Sequence, residues 1–246
     1  YDDVSDILEH DDAELVQRYA HIYEDLKRMG ELAEILRKKR KQKGSLDFDF
    51  DEAEILLDED EVPVDIGISD RRTANRLIEE FMLLANRTVA EFVATGCKGS
   101  GEAPTKGGRK PAKTFVYRVH DEPNQEKVEA LRNFIGNFGY KMGSTTNGKE
   151  ISKELNSLFA AAKDTPEYNA IELLSLRTMA KARYDTENLG HYGLAFKYYT
   201  HFTSPIRRYP DMLVHRLLAA YLDGAPSAKQ ETFDKLCKYA SEREVV

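Results

Sequence analysis

Apolar residues recur at intervals of three and four along much of this sequence, which is the spacing of helices with one buried face. The first run follows Asp11 and Asp12, whose carboxylates can cap a helix N-terminus, and Gly44 is placed to end it. A second run begins at Asp70. We predict one long amphipathic helix in each run. The apolar positions are Leu15, Val16, Tyr19, Ile22, Tyr23, Leu26, Met29, Ile35 and Leu36 in the first run, and Ala74, Leu77, Ile78, Phe81, Leu84, Ala85, Val89 and Phe92 in the second.

Three shorter helices are predicted further along the chain. Asn124 is placed to cap one that Gly139 ends, and another covers about 150–162. The third covers about 166–183, with Thr165 as its cap and Pro166 in its first position.

Short strands are predicted between the helices. Apolar and acidic residues alternate over 46–51, which is typical of a strand with one buried face. Strands near Glu54–Leu57 and Val62–Ile68 are expected to pair with it, and Thr114–Val119 forms another. Because there is no regular alternation of strands and helices and no internal repeat, we expect a mostly helical α+β fold with short mixed or antiparallel strands.

Composition restricts the class of protein. The 246 residues are 41% hydrophobic, enough for one substantial core or for part of a domain that extends past the ends of this sequence. No apolar run approaches the roughly 18 residues of a membrane span, and the first residues lack the order of a signal peptide. Cys97 and Cys237 form no disulfide framework. We therefore expect a soluble, cytoplasmic protein without membrane contact.

Charge is distributed unevenly. The net charge of −7 argues against nonspecific coating of nucleic acid, which depends on many Lys and Arg contacts to phosphate. Ten acidic residues lie between Asp47 and Asp65, whereas basic residues cluster at Arg37–Lys41 and at Lys106–Lys113. The first basic cluster can be a solvated helix end or an RNA contact. The glycine-rich loop 96–113 around the second has no nucleotide-binding GxxxxGK[ST] motif.

Residues 203–208 carry the clearest candidate site. Ser204 and Pro205 predict a helix start, which places Arg207 and Arg208 in the first turn, where free backbone N–H groups favour an anion. Cations at this helix end cost on the order of several tenths of a kcal/mol unless an anion or a carboxylate offsets them. The pair therefore indicates either a phosphate site or a structural arrangement with nearby carboxylates.

Two further pairs leave alternatives open. Asp211 and His215 lie four residues apart on the predicted helix, where they could hold a metal or form a buried hydrogen bond. Glu79 and Glu80 lie within the second apolar run, where a carboxylate can face solvent or act in function.

The run His201–Arg216 resembles the signature of the ribonuclease II and ribonuclease R family of RNB-type exoribonucleases, in its bacterial ribonuclease R-like form. The resemblance is nearly end to end. It also includes Tyr1–Asp6, Arg76–Asn86, Tyr117–His120, Gly190–Leu194 and Ala240–Arg243.

This resemblance implies a processive 3′→5′ exoribonuclease that threads single-stranded RNA into a channel and releases nucleoside 5′-monophosphates. Arg207 is similar to the family's catalytic arginine, and Glu79 to the glutamate near the ribose 2′-OH. Tyr1 resembles the tyrosine that holds the 3′-terminal nucleotide, and Phe48 an aromatic residue that stacks on RNA bases. Arg208 and Tyr209 are expected to contact the RNA beside Arg207.

The sequence also departs from the family pattern. The resemblance implies a divalent metal, expected to be Mg²⁺, held by a DxDD-type run of aspartates, and the sequence contains no such run. Asp2-Asp3 and Asp11-Asp12 occur in a different context. We therefore expect residues 1–246 to be the central and C-terminal part of one catalytic domain, inactive alone, with the metal ligands and the flanking RNA-binding barrels outside it. No small-molecule cofactor is implied.

Two other functions remain as alternatives. A non-catalytic RNA-binding module could use Tyr1, Phe48 and the basic clusters without any chemistry. A helical adaptor would require the sixteen-residue run at 201–216 to be a coincidence.

Overall fold

The computed structural model describes residues 1–46, 48, 52–58, 60–69, 72–96, 113–144 and 146–244. These residues form nine helices and four short strands. The helices are α1 Asp2–His10, α2 Ala13–Arg18, α3 Tyr23–Gln42, α4 Thr73–Ala94, α5 Gln125–Gly136, α6 Gly148–Ala162, α7 Tyr168–Thr178, α8 Tyr209–Leu222 and α9 Gln230–Arg243; the strands are β1 Glu52–Leu57, β2 Pro63–Ser69, β3 Tyr117–Val119 and β4 Arg183–Asp185.

The chain divides into two compact units. The first unit contains Tyr1–Lys41 and Asp47–Phe81, and the second contains Gln42–Leu46 and Met82–Val246. β1 and β2 form an antiparallel hairpin in the first unit, and β3 and β4 form an antiparallel pair in the second. The predicted α+β class, mostly helical with short strands, is confirmed.

The predicted helix after Asp12 is wrong in one respect, because it is two helices. Asp12 caps α2 as expected, accepting hydrogen bonds from the backbone nitrogens of Glu14 and Leu15. The chain then turns between α2 and α3, so that the Tyr19 hydroxyl donates to Asp3 of α1 at 2.7 Å. This tertiary contact competes with a continuous helical ladder. The helix α1 itself is absent from the sequence-based prediction.

The hairpin confirms the two strands predicted near 54–57 and 62–68, and the two strands pair with each other, with Ile55 opposite Ile66. The predicted pairing with a strand at 46–51 is not found among the described residues. Its described side chains are unusually exposed for apolar residues: Ile55, Leu56, Leu57, Val62, Val64 and Ile66. The strand predicted at 46–51 is not found in the part of that segment that is described. Leu46 and Phe48 lie outside any strand, and the remaining residues of the alternation lie outside the described residues. Leu46 instead donates its N–H to the Gly193 carbonyl at 2.9 Å.

Two of the three later helices differ from prediction at their ends. Asn124 caps α5 through Lys127 N, as expected, but α5 ends at Gly136 rather than at Gly139. The third helix is shorter than 166–183 and lacks the predicted cap. Thr165 donates its hydroxyl to the Ala162 carbonyl and so closes α6. The segment after α7 then leaves the helix to form β4.

The core of the second unit joins α4, β3, β4, α8 and α9. Phe115, Val119 and Val214 at its centre are fully buried, and Cys237 is a buried thiol whose pKa is raised to about 12 by desolvation. This core fixes the N-terminal end of α8, where the candidate arginines lie.

Candidate nucleic-acid interface

The segment before the arginines is held by hydrogen bonds to buried groups. The Thr200 hydroxyl donates to the Val116 carbonyl at 2.7 Å, and Arg118 N donates to the Tyr199 carbonyl at 3.0 Å. Asn86 of α4 is buried and bridges two points, accepting from Phe202 N at 3.0 Å and donating to the Tyr199 hydroxyl at 3.2 Å. Satisfied buried polar groups of this kind define one backbone path.

The arginines lie on a turn that precedes α8, which corrects the predicted helix start at Ser204. The Ser204 carbonyl accepts hydrogen bonds from Arg207 N at 3.3 Å and from Arg208 N at 3.0 Å. Helix α8 begins at Tyr209, with Arg208 at the N-cap position and Pro210 in the first turn. Proline is well tolerated there because it has no N–H to leave unpaired. Within the described residues no side chain caps this helix start, so the predicted Ser204 cap is not found.

The side chain of Asp211 is fully buried and ties the turn to α8. Its Oδ1 atom accepts from Ser204 N at 2.8 Å and from Arg208 Nη2 at 2.9 Å. Arg208 thus has the nearby carboxylate that a structural interpretation requires. Arg207 is exposed, and its side chain forms no ion pair or hydrogen bond that involves the described residues. Ile206 and Tyr209 beside it are also exposed.

Asp211 and His215 do not bond to each other. His215 Nε2 lies 2.8 Å from the Phe202 carbonyl, and its ring stacks on Phe202 with centroids 4.0 Å apart. Each residue of the pair thus has its own hydrogen-bond partner. Across the described parts of the chain, no group of three or more His, Cys, Asp or Glu residues is arranged to hold a metal ion.

Three histidines form an aromatic cluster that sequence reasoning missed. Edge-to-face contacts join His120 to His191 at 5.0 Å, His191 to Tyr199 at 5.1 Å and Tyr199 to His201 at 5.7 Å. Burial lowers the pKa of His191 and of His201 to about 3, and lowers that of His120 as well. All three are therefore neutral at pH 7.

The orientation of His120 is fixed by two bonds. Its Nε2 lies 2.8 Å from the Ala180 carbonyl, and its Nδ1 accepts from Gly193 N at 3.1 Å. A side chain at Gly193 would place its Cβ only 3.0 Å from that Nδ1, so glycine is needed for this approach. The quoted motifs Tyr117–His120 and Gly190–Leu194 contain these residues, but only the fold brings them together.

The remaining candidates belong to the first unit. Tyr1 is 69% exposed at the start of α1, and Phe48 is partly buried. Glu79 of α4 is partly exposed, with its Oε1 atom 3.9 Å from Arg40 Nη2. Its neighbour Glu80 is buried and accepts from Arg40 Nη2 at 2.5 Å.

The basic cluster at Arg37–Lys41 therefore has mixed roles. Lys38, Lys39 and Lys41 are exposed, whereas Arg40 is 7% exposed and neutralises Glu80 inside the unit. Arg40 therefore has neither of the two predicted roles, a solvated helix end or an RNA contact. The second basic cluster, Lys106–Lys113, lies outside the described residues except for Lys113, which donates to the Ala225 carbonyl at 2.6 Å.

Comparison with known proteins identifies the family. The family model of the RNB domain matches residues 1–224. The chain belongs to the RNB domain family. The resemblance drawn from residues 201–216 is thereby confirmed.

None of the described helices is long and apolar enough to cross a membrane.

Several relatives of this RNB domain are ribonucleases. Ribonuclease R 1 of Lactococcus lactis is 37% identical over 250 residues, which cover 99% of this chain and 28% of that protein. RNase R of Mycoplasma genitalium, solved with ribose-methylated single-stranded RNA, matches with a TM-score of 0.73 and 29% identity, covering 89% of this chain and 33% of the other. The same enzyme has been solved with double-stranded RNA. The chain thus spans about a third of the relatives it matches.

The structural matches also include a protein that is not described as a ribonuclease. Yeast Ssd1, described as a pseudonuclease, matches the RNB domain with a TM-score of 0.55 and 30% identity, covering 70% of this chain and 20% of the other. The fold of this chain is therefore similar to part of a protein that is described as a pseudonuclease.

Proposed function

We propose that the complete gene product is a processive 3′→5′ exoribonuclease that hydrolyses single-stranded RNA to nucleoside 5′-monophosphates. Residues 1–246 are then the central and C-terminal part of its catalytic domain. The observation that carries this proposal is the exposed Arg207, on a turn fixed to α8, within an RNB match to residues 1–224. The complexes of Mycoplasma genitalium RNase R with RNA support RNA as the partner.

Arg207 is assigned the chemical role. Its guanidinium can donate two parallel hydrogen bonds to phosphate oxygens and so stabilise the charge that develops on the phosphoryl group. Arg208 follows it at the end of the turn, and Tyr209 is the first residue of α8. An arginine on a turn that is hydrogen-bonded to α8 is already oriented and needs little reorganisation during the reaction.

The first unit is assigned the binding of ribose and bases. The partly exposed carboxylate of Glu79 can accept a hydrogen bond from a ribose 2′-OH, which distinguishes RNA from DNA. The exposed ring of Tyr1 can hold the 3′-terminal nucleotide, and Phe48 can stack on a base, a contact worth about 1–3 kcal/mol.

The divalent metal that the family implies, Mg²⁺ in our proposal, does not fit the described residues. Several acidic side chains of the first unit are already paired with arginines, as Asp6 and Glu9 are with Arg72 and Glu80 is with Arg40. Since the sequence also contains no DxDD-type run, we propose that aspartates elsewhere in the complete gene product bind the metal. The described residues are assigned the binding and orientation of RNA.

The test is degradation of a uniformly labelled single-stranded RNA by the complete gene product, with Mg²⁺ or with EDTA. We expect metal-dependent release of nucleoside 5′-monophosphates. Arg207→Ala should lower kcat by about 100- to 1000-fold, as for other removed transition-state donors. Arg177→Ala, at an exposed arginine of α7, is the matched control and should retain full turnover. Equal turnover of the Arg207→Ala and unmodified proteins would reject the role of Arg207.

The second candidate is a non-catalytic RNA-binding module, which the match to the pseudonuclease Ssd1 favours. It predicts that RNA is bound, with affinity that falls as salt increases, and that no monophosphate is released under any metal condition. The same assay therefore separates the two functions.

A further inference from the structure

Two neighbouring arginines occupy one turn in different electrostatic surroundings. Arg208 is partly buried, and its Nη2 atom contacts the Asp211 carboxylate at 2.9 Å. Arg207 is exposed, with no charged partner among the residues that the structure describes. A positive charge already balanced by a buried carboxylate attracts phosphate less than a free one. The two arginines should therefore differ in how strongly they attract an RNA phosphate.

Asp211 also determines the shape of the turn. Its Oδ1 atom receives both the Ser204 N–H at 2.8 Å and the Arg208 guanidinium. The residues between these two points are Pro205, Ile206 and Arg207, whose side chains are exposed. Within the described residues, the side chains of these three residues take part in no hydrogen bond or ion pair. The Ser204 carbonyl closes this turn by accepting from the backbone nitrogens of Arg207 and Arg208, and the Asp211 Oδ1 atom ties the turn to α8.

We propose that Asp211 is a positioning residue that holds the Ser204–Arg208 turn and neutralises Arg208, so that Arg207 alone of the pair contacts the RNA phosphate. This inference rests on the role proposed for Arg207. It reassigns Arg208, expected from the sequence to bind RNA, to the support of the turn.

Substitutions of Asp211 can separate the effect of its hydrogen bond to Ser204 from the effect of its negative charge. Oδ1 accepts both hydrogen bonds, whereas the buried Oδ2 has no hydrogen-bond partner among the described residues. Asp211→Asn can keep its oxygen at the Oδ1 position and so retains the bond to Ser204 without the charge. Asp211→Ala removes both. Combining Asp211→Asn with Arg208→Met retains the Ser204 bond and leaves no unbalanced charge.

The first measurement needs no RNA. Hydrogen exchange of the Ser204 amide is followed by mass spectrometry in the complete gene product. We expect protection in the unmodified protein, in Asp211→Asn and in the double variant, and fast exchange in Asp211→Ala. Protection that persists in Asp211→Ala would overturn the proposal. Because this readout is independent of turnover, it stands even if the protein releases no monophosphate and the proposed function fails.

The second measurement separates kcat from KM during RNA degradation. Asp211→Ala should lower kcat by about 100-fold, the effect of misplacing a catalytic group by about 1 Å, with little change in KM. The double variant should retain most of the turnover. If the reaction required the Arg208 side chain itself, this variant would lose its turnover. If Asp211→Ala does not fold, a large loss of kcat in the double variant still rejects the proposal.

The third measurement is the salt dependence of RNA binding. Loss of one phosphate contact on a single strand reduces the slope of log K against log salt by about 0.7. We expect this reduction for Arg207→Ala and no change for the double variant of Asp211→Asn and Arg208→Met. Equal reductions in the two variants would show that both arginines contact phosphate and would overturn the division of roles.

Discussion

The Oε1 atom of Glu9 accepts a hydrogen bond from the backbone N–H of Thr73 at 2.9 Å, so a side chain of α1 caps the first turn of α4. The Ser5 hydroxyl accepts from the next N–H, that of Ala74, at 3.2 Å. These N–H groups have no partner within the helix. Two segments distant in sequence are therefore joined at the start of the helix that carries Glu79.

Glu9 should make the stability of the first unit depend on pH. The side-chain and backbone hydrogen bonds of Thr73 lower the Glu9 pKa from 4.5 to about 2. A lowered folded-state pKa stabilises the fold above pH 4.5, and this contribution is lost as the pH falls from 4.5 toward 2. Glu9→Gln should lower Tm at neutral pH and flatten its decline across that window.

Thermal unfolding across pH 2–7 measures this effect. Glu31→Gln, at an exposed glutamate of α3, is the control and should follow the unmodified protein. Parallel Tm curves for Glu9→Gln and the unmodified protein would contradict the prediction.

The buried ion pair of Arg40 and Glu80 should be sensitive to removal of one partner. Their side chains are 7% and 5% exposed, so Arg40→Met leaves a carboxylate buried without its counter-charge. We expect a loss of about 3–5 kcal/mol in the free energy of unfolding. The double variant Arg40→Met with Glu80→Leu should recover most of it, because a well-packed apolar pair often replaces a buried ion pair without loss.

Urea denaturation measures these free energies. Lys38→Met, at an exposed position of the same helix, should have almost no effect. A single variant as stable as the unmodified protein would mean that Glu80 finds another counter-charge.

His201 should contribute to acid sensitivity of the second unit. Its pKa is lowered to about 3 by burial and then by the charges of Arg208 and Arg118, and its Nδ1 lies 2.9 Å from the Tyr184 hydroxyl. The unfolded state binds a proton near pH 6.5, so stability is present above pH 6.5 and declines as the pH falls toward 3. His201→Gln keeps an acceptor for Tyr184 but removes this proton uptake.

The free energy of unfolding, measured between pH 7 and pH 4, should therefore decline less steeply in His201→Gln. The slope of the free energy of unfolding against pH should decrease by the amount that corresponds to uptake of up to about one proton. His21→Gln changes an exposed histidine and should leave the slope unaltered. An unchanged slope in His201→Gln would indicate that this ring is protonated in the folded state.

Asn86 should be needed for the path of the segment before the arginines. Asn86→Leu removes the acceptor of the Phe202 N–H and the donor to the Tyr199 hydroxyl. An unpaired buried polar group costs about 1–3 kcal/mol, which should be lost from the free energy of unfolding. The Phe202 amide should also exchange faster. Thr88→Ala, at an exposed position of α4, is the control, and unaltered Phe202 exchange in Asn86→Leu would refute the prediction.

The position of α4 could be predicted from a long run of apolar residues at helical spacing, and the positions of α6 and of the strands β1 and β2 were also predicted. Helix ends were predicted less well. The turn between α2 and α3 depends on Tyr19 reaching Asp3, and Thr165 closes α6 instead of capping α7. Local propensity does not contain such tertiary contacts.

The candidate site was predictable in its residues but not in its geometry. Arg207 and Arg208 are equivalent by residue type, and only the structure shows that Asp211 pairs with one of them. The histidine cluster needed the fold as well, because His120 lies far in sequence from His191 and His201. A polar residue within an apolar helix face, such as Asn86, was the one sequence signal that could have indicated its bridging role.

The β1–β2 hairpin has a consequence for handling the protein. Ile55 and Ile66 face each other across the two strands and both are largely exposed, and the outer edges of a two-stranded sheet offer unpaired N–H and C=O groups to other chains. The hairpin can therefore associate with other molecules through its exposed apolar faces and its unpaired strand edges. As the protein is concentrated, hairpins of different molecules should associate more readily, and Ile66→Lys should reduce this association.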